Sequence, residues 1–187
     1  MTWLRQEQTT KAELRAAAEA YYNIGFNVFP IKGKQPLVKW EKWQYERQTQ
    51  EEFEALIFSD CDGLGVVCGT KNKDGLYLAI IDFDVKNLPE EAIEKGRKVL
   101  RELPITATEQ TPSKGQHLIY YVHKKPKTMK VYHNEAAIEL LGEHCYCAMA
   151  PSTGYKRLND NFPNTTLSKR LSADEKQRQK GIHHKIR

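Results

Sequence analysis

No stretch of this 187-residue sequence approaches the ~20 consecutive apolar residues that a membrane helix needs. The opening segment MTWLRQEQTTKAELR lacks the apolar core of a signal peptide, so a soluble cytoplasmic protein is expected. Cysteine is scarce. The four present (Cys61, Cys68, Cys145, Cys147) are expected as reduced thiols, core residues or metal ligands rather than disulfides. Internal repeats and low-complexity tracts are missing, which excludes solenoids and blade-type arrays. Most of the chain also lacks net charge. The formal +5 resides wholly in residues 168–187, which hold seven basic and two acidic side chains. A neutral body with a basic tail suits a polyanionic partner, although a solvated terminus is the simpler reading of the tail alone.

The elements that are present alternate. Residues 11–24 pattern as a helix, with Thr10 and Glu13 as a capping box and Leu14, Ala17, Ala18, Tyr21 and Ile24 on one face. A strand over 26–31 runs into the loop KGKQP. A second capping box, Thr49 and Glu52, opens a helix over 50–58. GLGVVCG (63–69) and LYLAIIDFD (76–84) pattern as strands, 89–103 as a helix and QHLIYYV (116–122) as a strand. Residues 136–141 and 144–150 are expected to form the two arms of a hairpin around Gly142. The pattern predicts a mixed α/β or α+β domain with one curved sheet.

Asp82 and Asp84 end the most apolar strand. Side chains two apart on a strand share a face, so both carboxylates point one way while Phe83 turns into the core. A divalent cation between them relieves their repulsion. DxD alone is short and common, and two solvated acids are the simpler reading of it. Glu139 adds weight, because it lies within the apolar run AAIELL (136–141) and reads as a buried acid that needs a partner. Three carboxylates on neighbouring strands suit two-metal phosphoryl chemistry with Mg²⁺ or Mn²⁺. His117 follows the turn Ser113-Lys114-Gly115, whose backbone and lysine suit phosphate oxygens. Lys32 and Lys34, in KGKQP, and Lys156 and Arg157, after PSTGY, occupy similar loops.

In this order the motifs resemble the archaeo-eukaryotic primase superfamily, in particular the bifunctional DNA primase/polymerase domain of plasmid and viral replication proteins. The resemblance runs from about residue 11 to about residue 157. GFNVFPIKGKQPLVKW is similar to the family's opening segment. GLGVVCG followed by LAIIDFD resembles its first motif, which implies metal binding by Asp82 and Asp84. TPSKGQHLIY resembles the second, which implies that His117 contacts the incoming nucleotide. AIELLG followed by YCAMAPSTGY resembles the third, which implies that Glu139 completes the metal site. Lys114 stands where the resemblance leads one to expect a small residue, and Glu139 where many relatives carry Asp. Members often bear a zinc loop. Here the compact candidates are His144, Cys145 and Cys147, with Cys61, Cys68 and His133 further off. The usual four-ligand spacing is missing, so buried strand cysteines are preferred.

The resemblance implies an RRM-like sheet carrying the acids, packed with a second α/β unit, over residues 1–160. Residues 161–187 would then be a basic tail or a linker to a further domain. It also implies a helicase domain or subunit as partner, although G-x-x-x-x-G-K-[ST] is absent from this chain. The expected reaction is strand synthesis from NTP or dNTP on a DNA template and primer. In it Ser113, Lys114, Gly115, His117 and Lys34 bind the nucleotide, and Lys32, Lys156, Arg157 and the tail track phosphates. Trp40, Trp43 and Tyr155 suit base stacking or, more simply, core packing. The rivals are a metal-dependent nuclease, a non-catalytic RRM-like binder and a DxD glycosyltransferase. Leu141 weighs against the nuclease, which often carries a lysine two residues after a strand acid. Three strand acids weigh against the binder, because they repel phosphates. The Ser-Lys-Gly turn and histidine weigh against the glycosyltransferase.

Overall fold

Thr10 and Glu13 start the first helix as the sequence predicts. The Thr10 hydroxyl accepts from the Glu13 N–H, and the Glu13 carboxylate accepts from the Thr10 N–H. Such a cap contributes about 1 kcal/mol. The computed structural model describes residues 9–132 and 137–165; residues 166–187 of the expected basic tail, His133 and Ala136 lie outside them. Helix α1 spans Lys11–Asn23 and buries Leu14, Ala18 and Tyr21. It is followed by β1 (Val28–Lys32), β2 (Gln35–Pro36) and a 3₁₀ turn (Glu41–Gln44). Helix α2 (Gln50–Glu54) carries the second capping box. It stops short of residue 58, and Leu56 and Phe58 are buried beyond its end. Then come β3 (Gly63–Val67), β4 (Tyr77–Asp84), α3 (Glu90–Arg101), β5 (Ala107–Gln110), β6 (Gln116–Val122), β7 (Met129–Tyr132), β8 (Ala137–Leu141), β9 (Tyr146–Met149) and β10 (Lys156–Arg157).

The class is α+β, as expected, but the single curved sheet is corrected to two antiparallel sheets. One has the order β2-β1-β3-β9 and the other β10-β5-β6-β4-β8-β7. The expected hairpin around Gly142 is also corrected. Its first arm, β8, pairs with β4, whereas its second, β9, pairs with β3 in the other sheet. The turn at 142–145 therefore crosses between sheets, which local periodicity does not distinguish from a hairpin.

Alternation along β4 divides the molecule. Ala79, Ile81 and Phe83 face one core with Leu118, Tyr120, Ile138, Leu140 and Leu100 of α3. Leu78 and Ile80 face the other, with Val66 and Met149 of the smaller sheet and Leu14 of α1. Each fully buried Leu, Ile, Val, Phe or Met among them stabilises by about 1.5–3 kcal/mol. Asp82 and Asp84 continue the second face past the point where apolar packing ends. Trp43 is buried and Trp40 packs partly buried on the same core, which is the simpler of their two expected roles.

Candidate active site

β4 lies between β6 and β8, so Asp82 has a neighbour on each side. Its directly paired residues are His117 and Glu139. Directly paired residues of antiparallel strands share a face, with Cβ atoms ~4.5–5.5 Å apart. The register extends this into a row across the whole sheet: Lys130, Glu139, Asp82, His117, Glu109 and Arg157. Two adjacent acids are thus flanked by a lysine and a histidine. Lys130 Nζ lies 3.7 Å from Glu139 Oε1, and His117 Nε2 lies 3.4 Å from Asp82 Oδ1.

His117 is 3 % exposed and Glu109 0 %. The imidazole Nδ1–H donates to Glu109 Oε1 at 2.7 Å. The other Glu109 oxygen accepts from the Ala150 N–H at 2.9 Å, just beyond β9. One buried carboxylate thus joins the histidine to the second sheet. Cys147 Sγ stands 3.5 Å from His117 Nδ1. Burial works against a charged imidazole, but Cys147, Asp82 and Glu109 outweigh it, and the His117 pKa is raised above its ordinary value.

Asp84 is exposed. Its Oδ1 accepts from the Lys86 N–H at 2.9 Å and from the Ser113 hydroxyl at 3.3 Å. This packs the 111–115 turn against the end of β4. A Cβ on Gly115 would lie 2.1 Å from the Phe83 carbonyl oxygen, so only glycine permits that approach. Gly115→Ala is expected to destabilise by about 2 kcal/mol or more through overpacking. It should also reduce any activity by displacing Asp84; a urea melt read with an activity assay checks both.

A cleft of about 640 Å³ opens over Asp82 and Asp84, lined also by Lys34, Lys86, Ser113, His117 and Tyr155. A family model described as "Bifunctional DNA primase/polymerase, N-terminal" matches residues 17–169. The chain belongs to this Prim-Pol family. No individual curated protein matches it.

Within the primase/polymerase domain, register and cleft bring together Asp82, Asp84, Ser113 and His117. Glu139 pairs with Asp82 but is not among the cleft-lining residues. It also departs from the buried acid expected, because its side chain is 40 % exposed and pairs with Lys130. Lys34 reaches the cleft from a left-handed turn (φ 71°), where the Tyr146 hydroxyl donates to its carbonyl at 2.7 Å. Lys114 does not line the cleft; it is exposed at φ 69°, a left-handed conformation that favours glycine. Lys32 pairs with Asp60 at 2.9 Å, outside the cleft. Lys156 and Arg157 line a separate, mainly apolar groove of about 530 Å³ beside α1, with Tyr155 common to both cavities.

Asp82 and Asp84 bring carboxylate oxygens to the cleft, the chemistry that hard divalent ions take. Among the described residues, no three His, Cys, Asp or Glu side chains converge on one point as they stand. Asp82 and Glu139 are nevertheless adjacent by register, on one face and partly exposed. Among the described residues, the zinc candidates do not gather three to a site. His144 is exposed with Nδ1 3.2 Å from Gln44 Oε1, Cys145 Sγ is 3.4 Å from Thr128 Oγ1, and Cys147 faces His117. The Cys68 thiol and further hydrogen bonds lower the Cys145 pKa to about 7. No helix among the described residues is long and apolar enough to cross a membrane.

The sequence reading missed Glu109 and Lys86. Glu109 sits in ATEQ, which has no apolar alternation. Its signal is symmetry, since residues 109 and 117 are equidistant from the centre of the TPSKG turn and meet if that turn closes a hairpin.

Proposed function

We propose that this domain is a template-directed nucleotidyltransferase that extends or initiates DNA strands from nucleoside triphosphates, in the replication of a plasmid, virus or other mobile element. The observation that carries the proposal is the register Glu139–Asp82–His117 across three adjacent strands, beside a cleft that Ser113 and Lys34 also line. Asp82, Asp84 and Glu139 would hold Mg²⁺ or Mn²⁺, which when bound stabilise charge on the reacting phosphate and raise the acidity of the attacking hydroxyl. His117, held from behind by Glu109, offers its Nε2 side toward the acids and a triphosphate. Ser113 and Lys34 supply further phosphate donors, and Lys86 adds positive charge at the rim. The same reading has the domain working beside a helicase.

Incubation with primed and unprimed templates, each triphosphate set, and Mg²⁺ or Mn²⁺ tests the proposal. Labelled strands should lengthen. Shortened strands point to the nuclease, and retardation without synthesis to the binder. Divalent ions give a second readout. Mn²⁺ is expected to raise the melting temperature of the wild type, by the linkage between ligand and folded state. It should not do so for the Asp82→Asn/Glu139→Gln variant. An equal rise in both would place the ion elsewhere.

A further inference from the structure

The segment HKKPKTMK (123–130) carries chemistry that the polymerase reading leaves unused. Lys124, Lys125, Lys127 and Lys130 are all exposed, on the β6–β7 loop and on β7. The loop is held against the turn that follows β8. The Glu143 N–H donates to the Pro126 carbonyl at 2.8 Å, the Thr128 hydroxyl donates to the Glu143 carbonyl at 2.7 Å, and the Gly142 N–H donates to Thr128 Oγ1 at 3.0 Å. Gly142 makes the approach feasible, because a Cβ there would lie 2.2 Å from the Pro126 oxygen. The loop that carries Lys124, Lys125 and Lys127 is therefore held beside the end of the strand that bears Glu139.

An aromatic ring stands among them. Tyr45 is 73 % exposed. Lys125 Nζ lies 5.5 Å from its ring centroid, and the His144 ring lies 6.3 Å away. An exposed aromatic ring within a basic surface is the combination that single strands use, with phosphates on the cations and a base on the ring.

Reaction geometry says which strand belongs there. In a phosphoryl displacement the entering and leaving oxygens lie on opposite sides of phosphorus. His117 and Ser113 are on the β6 side of Asp82, so a triphosphate held by them directs its leaving group that way. The growing strand then approaches from the β8 side, where the row continues through Glu139 to Lys130 and on to the loop. We infer that the surface of Tyr45, Lys124, Lys125, Lys127, Lys130 and His144 holds the backbone of the growing strand, with a base stacked on Tyr45. The assignment to that strand, though not the surface itself, rests on the polymerase reading.

The test is fluorescence anisotropy with a labelled primer–template in EDTA, without nucleotide. The Lys124→Ala/Lys125→Ala/Lys127→Ala variant is expected to bind about tenfold or more weakly, and its log K should fall less steeply with log salt, by about 2–3. Tyr45→Ala should weaken binding by about fivefold or more with the salt slope unchanged. The KM for triphosphate should stay unchanged in both variants. Wild-type affinity and slope in the triple variant overturn the inference, whether or not the protein makes strands. Lysine-dependent binding by a protein that makes none supports the surface and removes the polymerase reading.

Discussion

Asp82→Ala is expected to lower primer extension by about 10³-fold or more while changing stability by no more than about 1 kcal/mol. The two effects separate because Asp82 sits where folding does not favour it. It lies directly opposite a second acid, Glu139, and like charges so placed oppose pairing. Alanine removes that repulsion and forfeits the 3.4 Å contact with His117, two small terms of opposite sign. The loss in rate has nothing to offset it, because the removed oxygens are those that would hold the ion. Glu139→Ala should behave alike, and the double variant should be little worse than either single one, since groups that act as a unit are not additive. Extension assays paired with thermal melts read both quantities. A variant within about tenfold of the wild-type rate would sink the assignment of these acids.

Glu109→Ala is expected to destabilise the fold by about 3–5 kcal/mol, the range for breaking a buried ion pair from one side. It leaves His117 Nδ1 and the Ala150 N–H unpaired in the interior. Glu109→Gln should lose less, about 1–3 kcal/mol. If its carbonyl accepts from Ala150, its amide N–H faces an imidazole N–H, and His117 must change tautomer or shed a proton. Urea melts across pH test the second part. The raised His117 pKa means its contribution is complete below the ordinary imidazole value of about 6.5. That contribution is lost as pH rises through the folded value. Wild-type stability should therefore decline from neutral toward alkaline pH, and Glu109→Gln should flatten the decline. A wild-type profile as flat as the variant's would contradict the raised value.

Much of this was legible from residue patterns. The two capping boxes announce α1 and α2, LAIIDFD announces a central strand with its acids on one side, and QHLIYYV is matched residue for residue by β6. What the pattern could not give was partnership between strands. Period-two alternation fixes which face a residue takes but not which strand lies beside it. Thus β8 and β9 read as a hairpin though each belongs to a different sheet. Glu139 was misjudged for a related reason. Apolar neighbours on both sides suggest burial, yet the next strand is β7 at the sheet's edge, which leaves the carboxylate partly in water. Glu109 stayed hidden because its strand is polar and only the turn's symmetry reveals its partner.

Tyr155 lines two hollows of opposite character, one charged and one greasy. Burial raises its phenol pKa to about 12, so it carries no charge at ordinary pH. Cutting it down to alanine would take away a ring that both hollows share, 5.7 Å from the His117 ring, and so widen each of them on that side.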